Sequence, residues 1–246
     1  MKKVVDRASS RGYFDHGWLK TYHTFSFADY YNPTRVHFGA LRVLNDDWVA
    51  PSQGFGAHPH KNMEVVSIPL KGKLRHGDSV ANTRTITPGD VQVMSTGSGI
   101  LHSEYNGSDK EPVEFLQIWV FPDRENTPPE YNNYNIRGLL KKNELALFIS
   151  PDGSTPASIL QNAWDEILTD RNAWFSMGKF DAGKIIDYKI HDKNMGVYIF
   201  IIEGKIEVAE EILSKRDGIG IWDVSDLKIN IIEHSDLLLI EVPMIS

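Results

Sequence analysis

The chain has 246 residues, 41% apolar and 24% charged, with 26 Lys+Arg against 33 Asp+Glu for a formal charge of −7. That composition supports one or two ordinary hydrophobic cores and argues against a disordered chain. The acidic balance disfavours direct binding to nucleic acid or anionic membrane, and the absence of cysteine excludes disulfides, thiolate metal sites and a Cys nucleophile. No stretch approaches about 18 consecutive apolar residues, and the opening Met1-Lys2-Lys3-Val4-Val5-Asp6 lacks the apolar run of a leader, so a cytoplasmic protein is expected.

Along the chain, short apolar runs alternate with turn signals: 38–44, 65–70, 91–94 and 115–121, separated by Gly77-Asp78, Pro88-Gly89-Asp90 and the cluster Ser95-Thr96-Gly97-Ser98-Gly99. This spacing predicts an all-β sandwich or barrel. The proline-bearing polar stretch around 126–139 reads as a linker between a domain over 1–125 and another over 140–246. Further β-like runs follow at 146–149, 197–202, 228–232 and 237–242, and 158–168 is the best short-helix candidate.

The halves echo each other. Leu70-Lys71-Gly72-Lys73-Leu74 resembles Ile202-Glu203-Gly204-Lys205-Ile206, Gly89 aligns with Gly218, and Phe115-Leu116-Gln117-Ile118 aligns with Leu237-Leu238-Leu239-Ile240. Three matches in one order, with spacing that shrinks gradually, point to duplication of one β unit with shorter loops in the second copy.

Histidine is unevenly placed: His16, His23, His37, His58, His60, His76 and His102 precede residue 123, and only His191 and His234 follow. On a strand, residues two apart share a face, so His58 and His60 project together, with Glu64 on the same parity if no bulge intervenes. By the same rule His102 and Glu104 share a face. If the two strands are neighbours, three imidazoles and a carboxylate converge, a donor set suited to one divalent first-row metal: iron, nickel, copper, manganese or zinc. His23 and His37 read as structural, His191 and His234 as surface residues, and Gly97-x-Gly99 as a β-turn because no helix follows it. The aromatic density between Tyr13 and Tyr31 suits either a core or the wall of an aromatic-ligand pocket.

The HxHxxxE segment at 58–64, with Gly72, Gly89, His102 and Asn106, resembles the two motifs of the cupin barrel. More specifically, Gly54-Phe55-Gly56-Ala57-His58-Pro59-His60, Pro88-Gly89-Asp90-Val91-Gln92-Val93-Met94 and Gly99-Ile100-Leu101-His102-Ser103-Glu104-Tyr105-Asn106 resemble the pirin family of bicupins. The resemblance covers nearly all of 7–122 and loosens after 135. It implies two tandem antiparallel β-barrels of the double-stranded β-helix or jelly-roll kind, with the N-terminal residues packing on the second.

Carried over by position, the pirin ligand set is His58, His60, His102 and Glu104. Ordinary cupins take their carboxylate from the first motif, here Glu64, and the sequence carries both acids. Following the pirin pattern makes Glu104 the ligand, with Glu104 or Glu64 as catalytic base. Counting back from Gly204 places the second-half counterparts of His58 and His60 at Ile190 and Asp192, and that of His102 near 228–230, so the second barrel is expected to lack the metal. The resemblance also implies a monomeric dioxygenase of the quercetin 2,3-dioxygenase type, using Fe(II) (or Zn, Ni, Mn or Cu) and O2 on a flavonol-like or other small aromatic substrate. The alternative it carries is a redox-responsive regulatory protein that binds a metal and a protein partner without turnover.

Overall fold

A computed structural model describes residues 1–79, 83–151 and 173–245, so the helix expected at 158–168 lies outside the described residues. In chain order the strands are β1 (Lys2–Asp6), β2 (Gly12–Asp15), β3 (Leu19–His23), β4 (Leu41–Val49), β5 (Gly54–His60), β6 (Glu64–Lys71), β7 (Leu74–Asp78), β8 (Thr83–Ile86), β9 (Asp90–Ser95) and β10 (Ile100–Asn106). They continue as β11 (Val113–Val120), β12 (Glu130–Asn135), β13 (Ala146–Ile149), β14 (Trp174–Phe180), β15 (Ile185–Lys189), β16 (Met195–Val208), β17 (Glu211–Ser214), β18 (Gly218–Trp222) and β19 (Asp226–Pro243). Among the described residues the only helical turn is the 3-10 turn Ala8–Ser10.

The chain divides into two compact units, one of residues 12–37 and 41–137 and the other of 1–11, 38–40 and 138–246. The first holds a seven-stranded sheet ordered β12-β9-β6-β11-β4-β3-β2 and a four-stranded sheet ordered β5-β10-β7-β8. The second holds one eight-stranded sheet, β1-β18-β16-β19-β14-β13, with β15 on β19 and β17 on β16. Every strand ladder described is antiparallel, but the pairing orders run from edge to edge without closing, so the expected barrels are open sheets. Residues expected to form a linker instead supply β12, which pairs residue for residue with β9 from Glu130↔Ser95 to Asn135↔Asp90. At the other end β1 pairs with β18, so the N-terminal residues belong to the second unit, as the family resemblance implies.

The pairing graphs of the two units coincide. β5-β10-β7-β8 in the first corresponds to β15, the first half of β19, the second half of β16, and β17. β9-β6-β11-β4 corresponds to β18, the first half of β16, the second half of β19, and β14. Where β6 ends and β7 begins, Gly72 sits at φ +77; a Cβ there would lie 2.4 Å from the Pro112 carbonyl oxygen. The equivalent Gly204 sits at φ +91 inside the continuous β16, and a Cβ would lie 2.1 Å from the His234 carbonyl oxygen. Both glycines let one strand press against the backbone of its neighbour, which is why the repeat shows at these positions.

The interiors differ. One continuous apolar cluster fills the second unit, including Ile199, Ile206, Ile219, Ile229, Leu237 and Leu239. In the first unit the apolar residues form smaller groups, among them Leu19, Val49, Leu74 and Phe115 in one and Val65, Met94 and Ile100 in another. Polar buried side chains occupy much of the space between.

Candidate metal centre

Strand pairing brings the two histidine motifs together. β5 and β10 are neighbours, with His58 directly across from His102 and His60 across from Ile100. The imidazoles of His58, His60 and His102 lie with ring centroids 4.4–4.8 Å apart, His60 edge to face with each of the other two, and one ligand nitrogen from each lies within 4.8 Å of the others.

The hydrogen bonds around the rings fix which nitrogen is offered. A carbonyl oxygen can only accept, so His58 Nδ1–H donates to Gly56 O at 2.7 Å, which leaves Nε2 as the nitrogen to offer a metal. His102 turns Nδ1 toward His76 Nδ1 at 3.5 Å, and His76 Nε2 donates to Asp78 Oδ2 at 3.1 Å. This leaves His102 Nε2, like His60 Nε2, buried with no hydrogen-bond partner. Burial first, then the neighbouring imidazoles, lowers His60 to about 4 and His102 to about 3. Both rings are therefore neutral near pH 7 and present lone pairs, the state a metal requires. Unpartnered buried nitrogens, neutral rings and mutual distances together make this donor set fit for a divalent ion.

Glu104 falls in a second candidate group, with His76 and His102, so His102 is the member it shares with the three imidazoles. Glu104 is buried and held by three neutral donors: Ser67 Oγ at 3.1 Å and Gln92 Nε2 at 3.2 Å reach Oε1, and Gln117 Nε2 reaches Oε2 at 2.6 Å. Tyr131 in turn donates to Gln92 Oε1 at 3.0 Å and stacks on His76 at 4.1 Å. A carboxylate offers about four lone-pair sites, so three donors leave one for a metal. Glu64, the other candidate acid, is buried on β6, where its backbone pairs with Ser95 and Val120.

The imidazoles open into a cavity of about 550 Å³, within the usual size of a small-molecule site. Phe27, Phe55, Leu19, Met63 and Trp119 give it apolar walls, while Thr21, His23, Asn45, Asp47, Glu104 and Gln117 supply polar groups. Glu64 is not among the lining residues. His60 packs edge-on to Trp119 at 4.7 Å, and Trp119 on Phe27 at 5.2 Å, so the aromatic segment near the N-terminus does wall the pocket, through Phe27. His23, expected to be structural, lines it as well.

Asp47 is the residue the sequence reading passed over. It is 5% exposed, its Oδ1 has no hydrogen-bond partner, and it lines the cavity. Burial raises its carboxyl to about 7; the neighbouring Thr21 hydroxyl pulls it down, and the charges of Asp46 and Glu104 push it up.

In the second unit, register places Tyr188, Ile190, Leu227 and Ile229 where the first has His58, His60, His102 and Glu104. Counting back from the glycine had pointed two residues further on, to Ile190 and Asp192. The connection into β16 is longer than the one into β6, and only the ladder reveals it. His191 is exposed, as expected; it donates its backbone N–H to the buried Glu241 at 2.8 Å, places Nδ1 2.9 Å from it and stacks on Trp174 at 4.4 Å.

A duplicated antiparallel β fold with a cluster of imidazoles in one copy defines the class: a bicupin with a candidate divalent-metal site. Residues 4–120 match the Pirin family and 147–242 the quercetinase C-terminal cupin domain. The chain is 34% identical over 241 residues to quercetin 2,3-dioxygenase of Escherichia coli K12, covering 96% of this chain and 97% of that one. It is 36% identical over 240 residues to a pirin-like protein of Caulobacter vibrioides, covering 97% and 99%. The crystal structure of the bacterial pirin YhhW of Escherichia coli in complex with nickel(II) aligns at a TM-score of 0.89 and 32% identity, covering 99% of this chain and 100% of that one. This chain belongs to the pirin family. No helix among the described residues is long and apolar enough to cross a membrane.

Proposed function

We propose that this protein is a metal-dependent dioxygenase that acts with O2 on a small aromatic substrate of the flavonol class, quercetin being the type compound. The observation that carries the reading is the set of three clustered imidazoles opening into an aromatic-walled cavity large enough for such a ligand. The name of the Escherichia coli relative supports the substrate class, and the nickel(II) complex of a pirin supports a divalent ion. His58, His60, His102 and Glu104 would hold that ion, with Fe(II) as the physiological metal. When bound, it supplies Lewis acidity toward a substrate oxygen and, as iron, redox chemistry toward O2. The Gly56 carbonyl and His76 orient the His58 and His102 rings; Ser67, Gln92 and Gln117 hold the Glu104 carboxylate in place. Phe27, Phe55 and Trp119 receive the flat faces of the substrate and exclude water. A concave, largely apolar cavity over the imidazoles favours turnover over the alternative of a regulatory protein with an exposed docking patch.

Metal analysis and O2 uptake with quercetin test the proposal. Wild type should retain about one metal ion and consume O2, and His58→Ala should lose both. Full metal retention and unchanged O2 uptake in His58→Ala would sink the assignment.

A further inference from the structure

Two acceptors of the cavity have no use in the ligand set described above. Asn45 Oδ1 and Asp47 Oδ1 are both buried, with residue exposures of 3% and 5%, and neither has a hydrogen-bond partner. They stand two apart on β4, hence on one face and about 7 Å from each other along the strand. Asp47 lies across from Thr21 on β3 and from Phe115 on β11; Asn45 lies across from His23 and Gln117. Together they form a polar strip on β4 within the cavity wall, in contrast to apolar members such as Phe27, Phe55 and Met63. A buried carboxylate oxygen without a donor is costly, and a ligand hydroxyl is the group that would satisfy it.

Glu104 is poorly placed to take a proton as well as hold a metal. Its oxygens already accept from Ser67, Gln92 and Gln117, and a metal bond would use the remaining lone-pair site. We infer that Asp47 is the group that accepts the proton of the substrate's acidic hydroxyl, while Asn45 accepts a hydrogen bond from a second hydroxyl of the same ligand. The inference rests on the flavonol reading above and names the base within it. In the step, the substrate O–H bond breaks, its electron pair stays on the substrate oxygen, and the proton bonds to Asp47 Oδ1 to give a neutral carboxyl. Nothing is oxidised or reduced. The proton returns when product leaves.

The elevated affinity of Asp47 for protons, caused first by burial, suits this role near neutral pH. The groups that face it are Thr21 from β3, which opposes the elevation, and Asp46 and Glu104, which add to it.

The test is an anaerobic absorbance titration of quercetin bound to zinc-loaded protein, in which no turnover occurs and the long-wavelength band of the flavonol anion reports ionisation. In wild type the anion band should be present at pH 7. Asp47→Asn should keep its zinc and bind quercetin, but show roughly tenfold less anion at pH 7, a midpoint at least about one pH unit higher. Thr21→Val makes Asp47 the stronger proton acceptor and should move the wild-type midpoint downward, and it keeps the test decisive if Asp47→Asn folds poorly. Identical ionisation in wild type and Asp47→Asn, or an unmoved midpoint in Thr21→Val, overturns the role of Asp47 and leaves the dioxygenase reading standing. A zinc-loaded wild type that binds no quercetin overturns the flavonol reading, and this inference with it.

Discussion

The two units share one pairing graph and almost nothing of its interior. Read through the strand registers, Ser67, Gln92, Glu104 and Gln117 of the first unit correspond to Ile199, Ile219, Ile229 and Leu239 of the second. His58, His60, His76 and His102 correspond to Tyr188, Ile190, Val208 and Leu227. Every one of these counterparts belongs to the second unit's apolar cluster. The backbone thus does not decide whether the middle of such a unit is a dry core or a polar site; eight side chains at matched positions do. Burying an isoleucine or leucine contributes about 1.5–3 kcal/mol, so the second unit gains stability where the first gives it up for donors and acceptors.

The largest effects should come from exchanging these interiors. Ile229→Glu places a carboxylate where Ile199, Ile219 and Leu239 stand in place of the donors Ser67, Gln92 and Gln117, and should cost more than about 4 kcal/mol, enough to unfold the second unit. The reverse change, Glu104→Ile, strands three buried donors at about 1–3 kcal/mol each and should destabilise the first unit. Adding Ser67→Ile, Gln92→Ile and Gln117→Leu to it should recover most of that loss, because a fully apolar replacement of a polar network is often neutral or stabilising. Urea unfolding of the single and combined variants decides it. A quadruple variant no more stable than Glu104→Ile would mean that the two interiors are not interchangeable.

A pH effect of intermediate size separates the units. His60 and His102 titrate in the fold at about 4 and about 3, against an ordinary 6.5. The unfolded chain binds their protons first, so their contribution is intact above pH 6.5 and is lost as pH falls from there through 4 toward 3. Asp47 has the opposite sign: its carboxyl titrates at about 7 against 3.8, so its contribution is greatest below pH 3.8 and is lost as pH rises through 7. Ile190 and Leu227, at the matched positions, titrate nowhere. In metal-free protein, amide exchange in β10 should therefore quicken between pH 6.5 and 4, after correction for intrinsic rates, while the equivalent first half of β19 holds its protection. Parallel behaviour of the two strands would break the comparison.

Much of the first unit was legible because strands write their facing in alternate residues. His58 and His60, then His102 and Glu104, could be assigned to common faces before any fold was known, and the ladder between β5 and β10 supplied only their meeting. Asp47 was passed over because it stands just beyond the apolar run 38–44, in the polar triplet Asn45-Asp46-Asp47. Yet Val43, Asn45, Asp47 and Val49 keep one parity, and all four are buried. The support of Glu104 left a fainter mark: Ser67, Gln92 and Gln117 each stand alone inside an apolar strand. What the sequence could not show was the second unit's register, since a loop that lengthens by two residues shifts every matched position without changing either pattern. Open sheets in place of barrels, and a strand in place of a linker at Glu130–Asn135, likewise depend on partners far away in the chain.

That register makes the smallest prediction the sharpest. The sequence aligns Gly89 with Gly218, whereas the ladders pair Glu64 with Ser95 in one unit and Gly196 with Trp222 in the other, which brings Gly89 into line with Arg216. Backbone geometry agrees: Gly89 has φ +90 and Arg216 has φ +67. A left-handed residue with a side chain costs about 1–2 kcal/mol, so Gly89→Ala should destabilise the first unit by roughly that amount. Its Cβ would come within 2.4 Å of Arg137 Cγ, a flexible side chain able to move aside. Arg216→Gly relieves the same backbone strain, but it forfeits the hydrogen bond from Arg216 Nη1 to Ile202 O and adds chain entropy to the unfolded state. These terms are each about 1 kcal/mol and oppose one another, so the net change should stay within about 0.5–1 kcal/mol. Arg216→Gly therefore marks the register by what it does not do. A loss above about 2 kcal/mol would show that Arg216 acts through its side chain alone, and that the resemblance of its backbone to Gly89 carries no structural weight.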